Sequence, residues 1–102
     1  MSSLPDRVIV GPYTYSVQAA YKETNWGHVD MTQQRITIDQ DLQPERQRIC
    51  LMHEVIHACN DIAGVRDDDT EERMVTYGAP LIVQVLRDNP ALVAYLTAED
   101  GE

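Results

Sequence analysis

A chain of 102 residues is long enough for one domain and too short for two, and at this mass folding buries about two-thirds of the unfolded surface. Seventeen acidic residues against eight basic ones give a formal net charge of −9, which argues against unaided binding to nucleic acid or an anionic membrane. At 43% hydrophobic the chain is apolar enough to fold, yet no apolar run approaches the roughly 20 residues of a membrane span.

Residues Met1 to Asp6 hold no basic n-region and no long apolar stretch, so no signal peptide is expected and the expected location is the cytoplasm. Val8-Ile9-Val10 runs into Gly11-Pro12, a turn signal, and Tyr13 to Val17 alternates large and small residues as a strand does. Asn25-Trp26-Gly27 reads as a turn and Val29 to Met31 as a short strand. Arg35-Ile36-Thr37-Ile38-Asp39 alternates most cleanly of all. Three or four short strands, mainly antiparallel, are expected, with Trp26 and the tyrosines packed in core and sheet.

Helical spacing takes over after Asp41. Pro44 suits a first turn, with Asp41 to Gln43 supplying the cap, and Gly64 is a natural stop. With His53 set to zero and 100° per residue, Leu51, Met52, Val55, Ile56, Cys59, Ile62 and Ala63 fall on an arc of about 160° to 300°. His53, Glu54, His57 and Asp61 share a polar face opposite. Asp67-Asp68-Asp69 caps a second helix carrying Met74, Val75, Gly78, Leu81, Ile82, Val85 and Leu86, in which Pro80 forces a kink or a restart. Asn89-Pro90 opens a short terminal helix, and residues 99–102 are expected to fray. Cys50 and Cys59 lie about 13 Å apart along one helix, beyond disulfide reach, and read as reduced structural thiols.

The chemistry sits in His53-Glu54-Val55-Ile56-His57, an H-E-x-x-H run. Residues i and i+4 stack on one helical face, so two imidazoles point at one ion while the adjacent glutamate reaches a water beside it. Two imidazoles and one carboxylate leave a fourth position open, as a catalytic zinc site requires. A water held there has its pKa lowered towards about 7, and Glu54 is the base that takes its proton.

The third ligand is bounded by elimination. The one other histidine, His28, precedes the motif, and Asn60 and Ala63 rule out the metzincin extension. Asp61 lies about 6 Å further along the same helix, too far to join both histidines at one ion. Glu71 and Glu72, after a connection of αα-hairpin length, are the remaining choice. Asp69-x-x-Glu72 is also a capping box, so a purely structural role competes with coordination.

In its order of motifs the chain resembles a minimal gluzincin of the ImmA/IrrE-like metallopeptidase type, especially small phage and prophage versions. The likeness runs from Ile36-Thr37-Ile38-Asp39 through Leu51-Met52-His53-Glu54-Val55-Ile56-His57-Ala58 and Glu71-Glu72-Arg73-Met74-Val75 to Val85-Leu86-Arg87-Asp88-Asn89-Pro90. The resemblance implies zinc held by His53, His57 and a glutamate, for which the spacing back from Asp88-Asn89-Pro90 favours Glu72, with Glu54 as catalytic base. It implies a protein or peptide substrate inside the cell. The Ala-Asn pair that this family carries after its third ligand is Val75-Thr76 here. An oxyanion donor is not evident; His28 and Tyr77 are the candidates.

The expectation is therefore one α+β, zincin-like domain over residues 1–102, a small sheet packed on the H-E-x-x-H helix with one or two further helices. Its expected function is Zn2+-dependent peptide hydrolysis. The competing readings are a zinc-containing interaction module without turnover and an acidic nucleic-acid mimic that binds a basic partner.

Overall fold

Alternation of apolar and polar residues builds a sheet with one wet face and one dry one. The computed structural model describes residues 4–21, 26–65 and 78–98. Its strands are β1 (Arg7–Val10), β2 (Tyr13–Ala20), β3 (Gly27–Asp30) and β4 (Arg35–Asp39). Gly11 turns the chain between β1 and β2 at a φ of 57°, in the region where a side chain is strained. Val8, Val10, Tyr15, Ile36 and Ile38 are buried towards the helices. Arg7, Thr14, Ser16, Gln18, His28 and Arg35 are exposed.

The strand order is β1-β2-β4-β3. The two hairpins, β1 with β2 and β3 with β4, are antiparallel as expected, but the central pair β2 and β4 is parallel. The sheet is thus mixed. The β3–β4 hairpin docks with β4 inwards, setting Ile36 beside Val17 and Ile38 beside Ala19. That choice places the two fully buried isoleucines at the sheet centre and leaves the shorter strand, with its single β-branched residue, on the edge.

One long helix covers the dry face. It is α1 (Pro44–Ala63), opened by Pro44 and closed by Gly64 in the left-handed region at φ 74°. Gln43 occupies the cap position but makes no side-chain cap bond. Leu51, Val55, Ala58 and Cys59 are fully buried. The buried arc is rotated from the expected one: it runs from Cys50 through Glu54 to Cys59, about 60° to 240° on the scale above. Ile56 is 38% exposed and Ile49 63% exposed, both beside the histidines. The sheet meets α1 on its Cys50/Glu54 side, and that contact overrides the apolar count.

Two shorter helices complete the core, α2 (Ala79–Asp88) with Pro80 in its first turn and α3 (Pro90–Leu96). The Asp67-Asp68-Asp69 cap, Glu71, Glu72, Tyr77 and the tail from Glu99 lie outside the described residues. Asn89 sits at the N-cap position of α3, yet its side chain leaves the helix. Its amide accepts from the Ile9 N–H at 2.8 Å and donates to the carbonyls of Ile9 at 2.9 Å and Val85 at 2.7 Å. Gln84 repeats the device, accepting from Gly11 N–H at 2.8 Å and donating to Ile9 O at 3.2 Å. Two side-chain amides thereby stand in for a neighbouring strand along the outer edge of β1.

Burial pushes the Cys59 thiol up, and raises the Tyr15 and Tyr95 phenols likewise; Asp61 adds to the rise at Tyr15, whereas Arg48 opposes it at Tyr95. Each group keeps its proton in the fold at a pH where the unfolded chain has lost it. Their contribution is therefore complete below the ordinary thiol value of about 8.5 and declines as the pH climbs past about 10. The urea midpoint should stay flat from pH 7 to 8 and fall by pH 10.5, with Tyr15→Phe showing a shallower decline.

Candidate metal centre

The i, i+4 spacing on α1 brings the two motif histidines together. Their Nε2 atoms are 3.0 Å apart, and the rings meet edge to face with centroids 4.6 Å apart. Both side chains are exposed. Two nitrogens bound to one tetrahedral zinc at 2.0–2.1 Å stand roughly 3.3 Å apart, so a small ring rotation converts this pair into two ligands. Without an ion, one neutral imidazole donates its N–H to the other.

Glu54 takes a different position from the exposed face expected of it. It is 7% exposed and turned towards β3, next to Gly27 and Cys50. The reason is visible at Gly27. A Cβ built there would lie 2.5 Å from Cys50 Sγ and 3.3 Å from Glu54 Oε2. The missing side chain lets α1 press onto the edge strand with the carboxylate in the seam. Glu54, one residue along from His53, is thus held by packing in the seam between α1 and β3 instead of waving in solvent.

Gly27 and Cys50 were not among the candidate residues. A signal existed for Cys50: four residues before Glu54 and seven before His57, it shares their helical stripe at about 60°. For Gly27 the sequence offered only a turn. Gly27→Ala should destabilise the fold by about 1–3 kcal/mol through overpacking. Thermal melts of Gly27→Ala, Cys50→Ala and the double variant should show the double mutant more stable than the sum of the singles, since removing Sγ empties the space that the new methyl needs.

The other candidates are not brought together. His28 follows Gly27, whose Cβ direction faces α1, so strand alternation turns the imidazole to the opposite, solvent face of the sheet. That position does not serve as an oxyanion donor to the histidine pair. Asp61 is exposed, and among the described residues no hydrogen bond joins it to His57; its charge acts on Tyr15 instead. Trp26 is half exposed, not core, with the Arg46 guanidinium carbon 5.0 Å from its ring centroid, a cation–π contact at the start of β3. Among the tyrosines, Tyr15 and Tyr95 are buried while Tyr13 and Tyr21 are exposed. Cys50 and Cys59 are both buried and no disulfide joins them, as expected.

Among the described residues, no third histidine, cysteine or carboxylate joins the pair to complete a metal-binding group. Glu71 and Glu72, the two choices for that ligand, lie outside the described residues. No described helix is long and apolar enough to cross a membrane. No family model, curated protein or solved structure matches the chain.

Proposed function

We propose that the protein is a zinc-dependent metallopeptidase of gluzincin type that hydrolyses peptide bonds of a protein substrate within the cell. The observation that carries this reading is the convergence of His53 Nε2 and His57 Nε2 at 3.0 Å on an exposed face of α1. Two convergent imidazoles on one helix supply two of the three protein ligands of a hydrolytic zinc site.

When bound, zinc supplies Lewis acidity, polarising a carbonyl and acidifying a water. The chain's own residues do the rest. His53 and His57 would hold the ion by Nε2, with Glu72 as the third protein ligand. Glu54 accepts a proton from the attacking water at its carboxylate and delivers it to the departing amine. The seam against Gly27 fixes that carboxylate in place, so little side-chain freedom is lost on the way to the transition state.

Protein purified without chelator should carry one zinc per chain and cleave a degenerate fluorogenic peptide library. Chelation should abolish both, and zinc should restore both. Adjacent helical residues diverge by about 100°, so Glu71 and Glu72 cannot serve equally. Glu72→Gln should lose zinc by a large factor while Glu71→Gln stays near normal. The reverse result shifts the register by one residue, and retention in both variants removes the gluzincin reading.

A further inference from the structure

Strand β1 ends the sheet at the opposite edge from β3. Its pairing with β2 fixes which backbone groups face outwards. Val17 N–H donates to Asp6 O at 2.9 Å, so Asp6, Val8 and Val10 turn their polar groups towards β2. Arg7 and Ile9 turn theirs away. The N–H and C=O of Ile9 are taken by Asn89. At Arg7 this substitute ladder stops, and no hydrogen bond among the described residues takes up its outward N–H and C=O.

A cleft of about 440 Å³ opens at that point, lined by Asp6, Arg7, Ile9, Asp88, Asn89 and Pro90 among others. Asp6, Arg7 and Asp88 are exposed, and no ion pair involves either carboxylate among the described residues. One oxygen of Asp88 accepts from Gln84 at 3.1 Å. The cleft therefore combines a free strand edge one residue long, a rigid floor made by the Asn89 amide, and two carboxylates against one guanidinium.

We infer that this cleft is a peptide-docking site, separate from the metal centre, that takes a short extended segment of a partner protein carrying a lysine or arginine. One residue of the segment donates its N–H to Arg7 C=O and accepts from Arg7 N–H at its own C=O, continuing the row that Asn89 and Gln84 begin, and a basic side chain of the segment lies between Asp6 and Asp88. Backbone pairing gives the affinity and the carboxylates give the preference. A second copy of the chain is a poor occupant, because two molecules of charge −9 repel.

The test is a titration of the ¹⁵N-labelled full chain with acetyl-Thr-Lys-Val-amide, with acetyl-Thr-Glu-Val-amide as the comparison. The lysine peptide should move the amide resonances of Arg7, Asp88 and Asn89 saturably, and raised salt should weaken it. Arg7→Pro deletes the outward N–H at the first residue of an edge strand, where proline is tolerated, and should abolish binding. Asp6→Asn and Asp88→Asn should each weaken it about threefold, the size expected of an exposed ion pair. His53→Ala should leave it unchanged, which separates this site from the catalytic reading. The inference is overturned if the two peptides bind alike, if the shifts are absent or confined to β3 and α1, or if they track protein concentration without peptide. It is equally overturned if Arg7→Pro binds like the parent or, should that variant not fold, if both asparagine variants do.

Discussion

His53→Ala and His57→Ala should each lower zinc affinity by at least about a hundredfold. Zinc in small protein sites binds with about 10–16 kcal/mol shared among its ligands, so one ligand of three accounts for several kcal/mol, and every 1.4 kcal/mol is tenfold. The same loss should show in stability, but only when metal is present. Zinc at a hundred times its dissociation constant adds about 2.7 kcal/mol, which in a domain of this size raises the melting temperature by roughly 10–20 °C. Both imidazoles are exposed, so in chelator the two variants should melt within a few degrees of the parent. Melting curves of the three proteins, with zinc and with chelator, give four comparisons. A parent protein whose melting temperature ignores zinc would remove the metal site altogether.

Glu54→Gln should lower the turnover number about 10²–10⁴-fold, the contribution of a positioned general base, with zinc still bound. Glutamine keeps the shape and loses the base. Because the side chain is only 7% exposed, the new amide also brings two N–H donors into the seam with Gly27 and Cys50, and leaving them unsatisfied costs about 1–3 kcal/mol. A modest fall in melting temperature should therefore accompany the lost turnover, while KM stays near the parent value. If turnover persists in a variant that retains zinc, Glu54 is a packing residue and not the base; a parent protein that binds zinc and cleaves no peptide makes the zinc-containing interaction module the better reading. Glu54→Asp sharpens the comparison: it keeps the base but withdraws the carboxylate by one methylene, so partial activity is expected.

The strands were legible because alternation reports which residues face the core, and the helix ends because Pro44 fixes φ for a first turn while Gly64 tolerates the left-handed angles that end one. Alternation does not report neighbours. Ile36 and Ile38 demand a buried strand but do not say which strand joins β3 in flanking it, and so the parallel pairing of β2 with β4 is not legible. Helical spacing has the same limit. It collected Ile56 with Val55 and Leu51 on apolarity, whereas the position of β3 decided that Glu54 and Cys50 go inside and Ile56 stays out. The histidine pair was legible in full, since an i, i+4 spacing on a helix is a local matter. The seam beneath Glu54 was not, because it depends on the absence of a side chain at Gly27, twenty-seven residues away in sequence.

The residue after Asn89 determines how the β1 edge ages. Spontaneous deamidation of asparagine begins when the next backbone nitrogen, losing its hydrogen, attacks the side-chain carbonyl to close a five-membered imide. Pro90 has no such hydrogen, so that route is closed at Asn89. Conversion to aspartate there would exchange two donated hydrogen bonds, to Ile9 O and Val85 O, for a charge at a site only 6% exposed. The proline that starts α3 thus also closes the imide route to loss of the amide that tethers the terminal helix to the first strand.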